Sequence, residues 1–96
     1  VTEYNKAICE YLNLVIIGKS YEELYLKYDK EILHNLIAYC IETELVSDIS
    51  YLSMIGGSKV LQSSGKESVT KQGYEFLDEY KQFGKSISVL KSTWLS

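Results

Sequence analysis

Three amphipathic stretches before residue 45, a glycine-punctuated pair of β-compatible runs after it, and a capped helical stretch beyond Thr70 predict an α+β fold of the winged-helix type. The expected order is helix, short helix, helix, β-hairpin, helix, helix. The 96 residues make one domain, with the helix-turn-helix at about 20–44, the wing at about 46–69 and C-terminal helices at about 71–95. Hydrophobic residues make up 46% and charged residues 24%, a balance that suits one packed core and argues against disorder.

The first helix is expected from about Thr2, a capping residue, to Ile17. Tyr4, Ala7, Ile8, Tyr11, Leu12 and Val15 share one face, and Gly18 supplies a left-handed stop. The second starts at Ser20, where Ser20 and Glu23 have the spacing of a capping box, and ends near Lys27. Its inward residues are Tyr21, Leu24 and Tyr25. Asp29 caps the third, which runs to about Glu44. Ile32, Leu33, Leu36, Ile37 and Cys40 form its core stripe, leaving Glu31, His34, Asn35, Ala38 and Glu42 outward. A linker of about three residues between these two helices suits a helix-turn-helix.

The pattern changes after Leu45. Val46 to Ile55 is β-compatible, Gly56 and Gly57 mark a turn, Lys59 to Gln62 is a second run, and a third lies near Glu67 to Val69. Thr70 then caps a helix ending before Gly84, with Gly73, Phe76, Leu77, Tyr80 and Phe83 on one face. Glycine at position 73 costs about 1 kcal/mol in helix propensity but permits a close helix approach. A final helix, about Lys85 to Leu95, aligns Ile87, Leu90 and Trp94.

Residues 69–80 read V-T-K-Q-G-Y-E-F-L-D-E-Y, which resembles the (I/L)-T-x-x-G-x-x-(F/Y)-L signature that closes the wing in many small prokaryotic winged-helix proteins. Thr70, Gly73, Phe76 and Leu77 match its positions. Residues 40–46, C-I-E-T-E-L-V, resemble the L-x-x-x-G-(L/I)-I end of the third helix, with Glu44 in place of the usual Gly. The overall layout is similar to the YjcQ-like winged-helix proteins of Gram-positive bacteria and their phages. The resemblance implies the fold. It leaves function open, because the matching residues are structural and winged helices serve several purposes.

Charge and composition narrow the partner. All ten basic residues are Lys, so an arginine fork on guanine is excluded. With nine Tyr, this bias suggests an AT-rich genome, that of a low-GC bacterium or its phage. Residues 1–50 carry four Lys and nine acids, a net of −5, and residues 51–96 carry six Lys and four acids, a net of +2. No apolar run in the chain, Leu14 to Ile17 included, approaches the length of a membrane span. A membrane span needs about 20, so no membrane partner is expected. Cys9 and Cys40 fall on or beside apolar helix stripes and are expected to be reduced, buried thiols. With no signal-peptide pattern, this points to the cytoplasm.

On the third helix Asn35 is placed to pair with adenine in duplex DNA and Lys30 and Tyr39 to touch phosphate, with His34 on the same outward face. Glu31 and Glu42 share that face and oppose a polyanion. Lys59, Lys66 and Lys71 offer a basic edge on the wing, or simply charges that block edge-to-edge pairing. Ile87, Leu90 and Trp94 either seal the core or form a dimer contact. No nucleophile elbow, phosphate loop or dinucleotide fingerprint occurs, and His34 has no ligand-spaced companion. No enzyme, metal or cofactor is therefore expected. The leading reading is a dimeric DNA-binding, transcription-regulator-like domain; the alternative is a protein-interaction module, an adaptor or phage-encoded modulator that does not bind DNA.

Overall fold

A computed structural model describes residues 3–80. In chain order they form α1 (Glu3–Ile16), a 3-10 helix (Tyr21–Leu26), α2 (Lys30–Glu42), β1 (Val46–Ser53), β2 (Lys59–Val69) and α3 (Lys71–Glu79). This is a winged helix: a three-helix helix-turn-helix core, an antiparallel hairpin as wing, and a helix that returns after the wing. Thr2, the stretch up to Gly84 and the last expected helix, about Lys85 to Leu95, lie outside the described residues.

Local chemistry sets most boundaries. Gly18 ends α1 at a φ of +76°, and the Gly18 N–H to Val15 carbonyl (3.1 Å) and Lys19 N–H to Leu14 carbonyl (2.9 Å) bonds complete a Schellman motif. Glu44 ends α2 in the same way at a φ of +59°, through Glu44 N–H to Ile41 (3.1 Å) and Leu45 N–H to Cys40 (2.8 Å). A non-glycine residue thus takes the left-handed position that the signature gives to Gly.

The core joins Ala7, Ile8, Tyr11 and Leu12 of α1, Leu24 of the 3-10 helix, and Leu33, Leu36, Ile37 and Cys40 of α2. Leu45, Val46 and Ile49 join them from the start of the wing. Burial pushes the Cys40 thiol up to about 12, so it behaves as a small apolar side chain at neutral pH.

Several expectations need correction. Tyr4, at the first turn of α1, is exposed rather than buried and meets Tyr39, itself exposed on α2, edge-on at 5.8 Å. The second helix is 3-10, and the capping box does not close. Ser20 Oγ accepts from Glu22 N–H at 3.1 Å, and Glu23 turns to Lys19 instead. The tighter winding of a 3-10 turn shifts the amide that meets the cap.

The third β run is part of β2. Ser47 pairs with Ser68 but Ile49 with Ser63, so residues 64–67 bulge opposite Asp48 alone. Asp48 (φ +63°) and Gly65 (φ +78°) absorb the bend. The bulge is tied by its own side chains: Ser64 Oγ donates to the Asp48 carbonyl at 2.5 Å, and Gly65 N–H donates to Glu67 Oε1 at 3.2 Å.

The turn into α3 explains the Thr-x-x-Gly spacing. Thr70 Oγ1 accepts from Gly73 N–H at 3.0 Å and donates to the Glu44 carbonyl at 2.5 Å, while Thr70 N–H reaches the Leu45 carbonyl at 3.1 Å. A Cβ on Gly73 would collide with the Leu45 carbonyl oxygen and Val69 Cγ1. One residue therefore caps α3 and pins it to the end of α2, and the glycine makes room for the approach.

Candidate functional site

In a winged helix the second helix of the helix-turn-helix and the wing form the face that meets a partner. Here these are α2 and the hairpin. Asp29 starts α2 by accepting from Glu31 N–H at 3.1 Å and Ile32 N–H at 3.4 Å. Leu33, Leu36, Ile37, Ala38 and Cys40 turn inward. The outward stripe is Ile32, Asn35 and Tyr39, at helical spacing, with Glu31 beside it.

Two positions differ from the sequence pattern. Ile32, expected in the core, is 56% exposed, and Ala38, expected outward, is 1% exposed. α2 packs against α1 and against both strands, and the buried arc this produces includes residue 38 and leaves out residue 32.

The wing is held to α2 through His34. His34 is half-buried rather than outward, and both ring nitrogens are engaged. Nδ1 lies 3.0 Å from the Lys59 carbonyl, and Nε2 lies 2.6 Å from the Tyr25 hydroxyl. A carbonyl can only accept, so Nδ1 carries the proton, and in the neutral ring Nε2 accepts from Tyr25. Burial, with Tyr21 adding to it, pushes the Tyr25 hydroxyl up to about 12, which keeps it a donor at neutral pH. Tyr21 also packs edge-on against the His34 ring at 6.1 Å. One residue on, Lys59 Nζ donates to Asn35 Oδ1 at 3.1 Å. Further along α2, the Tyr51 hydroxyl of β1 donates to Glu42, which raises the pKa of Tyr51 above its ordinary value.

Between α2 and the wing lies a cleft of about 480 Å³, lined by Asp29, Lys30, Glu31, His34, Ser58, Lys59 and Val60. Its charged side chains are two Lys against two carboxylates, so it offers a polyanion no net attraction. From Leu52 to Ser58 the wing carries no charged residue. Leu52, Met54 and Ile55 are exposed there, Ile55 completely so, and Val60 is exposed at the cleft.

Lys30, His34 and Lys59 line this cleft, and Asn35 is tied to Lys59 beside it. Tyr39 is on the outward stripe of α2 but at its far end, against Tyr4. Lys66 projects from the bulge opposite Asp48, and Lys71 opens α3 after the wing root, where Val46 pairs with Val69. Lys59 pairs with Ser53 at the other end of the hairpin. A rise of about 3.4 Å per residue separates those ends by roughly 20 Å, so the three Lys do not form one cluster. Ile87, Leu90 and Trp94 lie outside the described residues. The sequence placed Tyr25 among the inward residues without its bond to His34, and it did not single out the exposed wing aliphatics. The aliphatics had a signal, an uncharged L-S-M-I-G-G-S run around a turn where loops are ordinarily polar.

Among the described residues, no group of three or more His, Cys, Asp or Glu could hold a metal ion, and no helix is long and apolar enough to cross a membrane. Fold and face together define a winged-helix domain. No family model matches the chain, and neither a curated protein nor a solved structure matches it.

Proposed function

We propose that this winged helix is a protein-interaction module, an adaptor or modulator that docks through the α2–wing face. The observation that carries this reading is the composition of that face: a charge-balanced cleft between α2 and the wing that Val60 also lines, continued by an uncharged wing tip on which Leu52, Met54 and Ile55 are exposed. Apolar surface concentrated at a projecting tip suits burial in a partner's groove, at about 25 cal/mol per Å² removed from water. Duplex DNA rewards cations at phosphate spacing, which this tip lacks. The Lys-for-Arg bias and the Thr70–Leu77 signature support placing the module among YjcQ-like cytoplasmic proteins of low-GC bacteria or their phages.

The second reading is a DNA-binding, transcription-regulator-like domain. One observation favours it: Asn35 and Lys59 are hydrogen-bonded side by side at the cleft that Lys30 also lines. In that reading Asn35 reads adenine, Lys30, Lys59 and Tyr39 meet phosphate, and Lys66 and Lys71 contact a more distant stretch of backbone. Pairing through Ile87, Leu90 and Trp94 would supply the two copies that paired half-sites require.

The two readings separate in one experiment. A photo-crosslinking residue is placed at Ile55 or, as control, at exposed Glu75 of α3, and the protein is expressed in its source cell. The expected result is a discrete protein adduct from position 55 and none from position 75. In parallel, an AT-rich duplex is titrated at about 50 and 200 mM salt, with no binding expected at either. Absence of the position-55 adduct, or duplex binding that collapses with salt, reverses the order of the readings.

A further inference from the structure

The wing is one hairpin, and its outer half must be held at a defined height above α2 if the two are to present one surface. Its core anchors, Val46 and Ile49, lie toward the root. Past them, Leu61 opposite Tyr51 is partly buried against the core, and the remaining ties to α2 are polar. Tyr51 reaches Glu42 and Lys59 Nζ reaches Asn35, both through exposed side chains. Half-buried His34 is different. Its ring meets the Lys59 main chain, which pairs with Ser53 at the last rung before the turn. The ring is itself fixed by Tyr25 of the 3-10 helix and packed by Tyr21.

We propose that His34 is the positioning residue of the binding face: its Nδ1–H holds the outer wing to α2, and Tyr25 holds the ring in the orientation this requires. His34 thus joins the 3-10 helix, α2 and β2 in one hydrogen-bonded line. The line sets the distance between Ile32 on α2 and Val60 and Ile55 on the wing, and so the shape of partner the face accepts. A hydrogen bond to main chain constrains the hairpin more than a bond to a long side chain, because it leaves no rotamers through which the strand can drift. The inference rests on the docking reading of this face, but its test uses no partner, so either can fail alone.

Two isosteres separate positioning from bulk. In His34→Asn the side-chain amide N–H takes the place of Nδ1–H and can still donate to Lys59. In His34→Gln the amide reaches toward Nε2 and Tyr25 but leaves the Lys59 carbonyl unpaired. Native-state hydrogen exchange of the full chain reads the result. His34→Gln is expected to speed exchange of the hairpin amides over residues 53–60 by about fivefold to tenfold, while His34→Asn stays close to wild type. Amides of Leu36 and Ile37 are expected to be unaffected in both. Equal effects of the two variants, or none from His34→Gln, would overturn the proposal. Long-range proton–nitrogen spectra of the unmodified protein supply a check that no substitution can confound. The neutral ring should carry its proton on Nδ1, and a proton on Nε2 sinks the proposal.

Discussion

The Thr70 hydroxyl donates to the Glu44 carbonyl at 2.5 Å, joining the first residue after the wing to the residue that ends α2. The two are 26 positions apart, so this bond closes the loop that contains the whole hairpin. Thr70 also caps α3 through Gly73, and the wing root, the end of α2 and the start of α3 therefore share one hydrogen-bonded corner.

Glu44 at that corner holds a left-handed conformation, φ +59°, that costs a side-chain-bearing residue about 1–2 kcal/mol. Glu44→Gly removes that cost while adding chain entropy to the unfolded state. The net expectation is a stabilisation of about 0.5–1 kcal/mol, seen as a higher urea midpoint with unchanged slope. A lower midpoint would mean that the Glu44 side chain contributes more than its backbone costs.

Gly73→Ala has the opposite sign despite the helical propensity of alanine. The new Cβ would meet the Leu45 carbonyl and Val69 Cγ1, and neither is the free end of a flexible side chain. A loss of about 2–3 kcal/mol is expected in chemical denaturation, against a gain of about 1 kcal/mol for the same change at an unobstructed helix position.

Tyr11 is 1% exposed, and its hydroxyl has no hydrogen-bond partner among the described residues. Burial raises its pKa, so the hydroxyl stays protonated and unpaired in the core. Tyr11→Phe removes the orphaned group without opening a large cavity and is expected to stabilise the fold by about 1 kcal/mol. Destabilisation in the same assay would reveal a partner for the hydroxyl.

Glu10 couples folding to acid. Burial pushes its carboxyl up, but hydrogen bonds from Lys27 Nζ at 2.7 Å and the Tyr28 hydroxyl at 2.5 Å, with the Lys27 charge, hold it below the ordinary value. A folded-state pKa below the unfolded one means that the stabilisation is complete above the unfolded value, about 4.3, and disappears as pH falls through the folded value. Urea midpoints of wild type and Glu10→Gln should therefore differ at pH 7 and converge only as pH falls through the depressed folded-state value, below the ordinary carboxylate range. A constant gap across that range would show that the carboxylate charge is not what matters.

Much of the fold was legible in neighbouring residues. Asp29 and Thr70 announced helix starts, Gly18 a stop and Gly73 a close approach, because caps and helix periodicity act over four residues or fewer. Position 44 shows how far such reading goes: the motif marked it as glycine-like, and the backbone there is left-handed although the residue is Glu. The bulge at residues 64–67 was less legible. Ser-rich β2 lacks the alternation that would assign residues to a face and set the register.

Within residues 3–80, the sequence by itself determined the order of elements and the approximate starts of the capped helices, together with the acidic first half of the chain, since each depends on local spacing or simple composition. Only the tertiary structure decided which outward residues meet. Residues 25, 34 and 59 converge because the 3-10 helix and the wing both pack against α2, and no local pattern encodes that meeting. Burial of His34, exposure of Ile32 and the separation of Lys59 from Lys71 have the same origin. Each is set by where a neighbouring element lies, and that depends on the packing of the whole core.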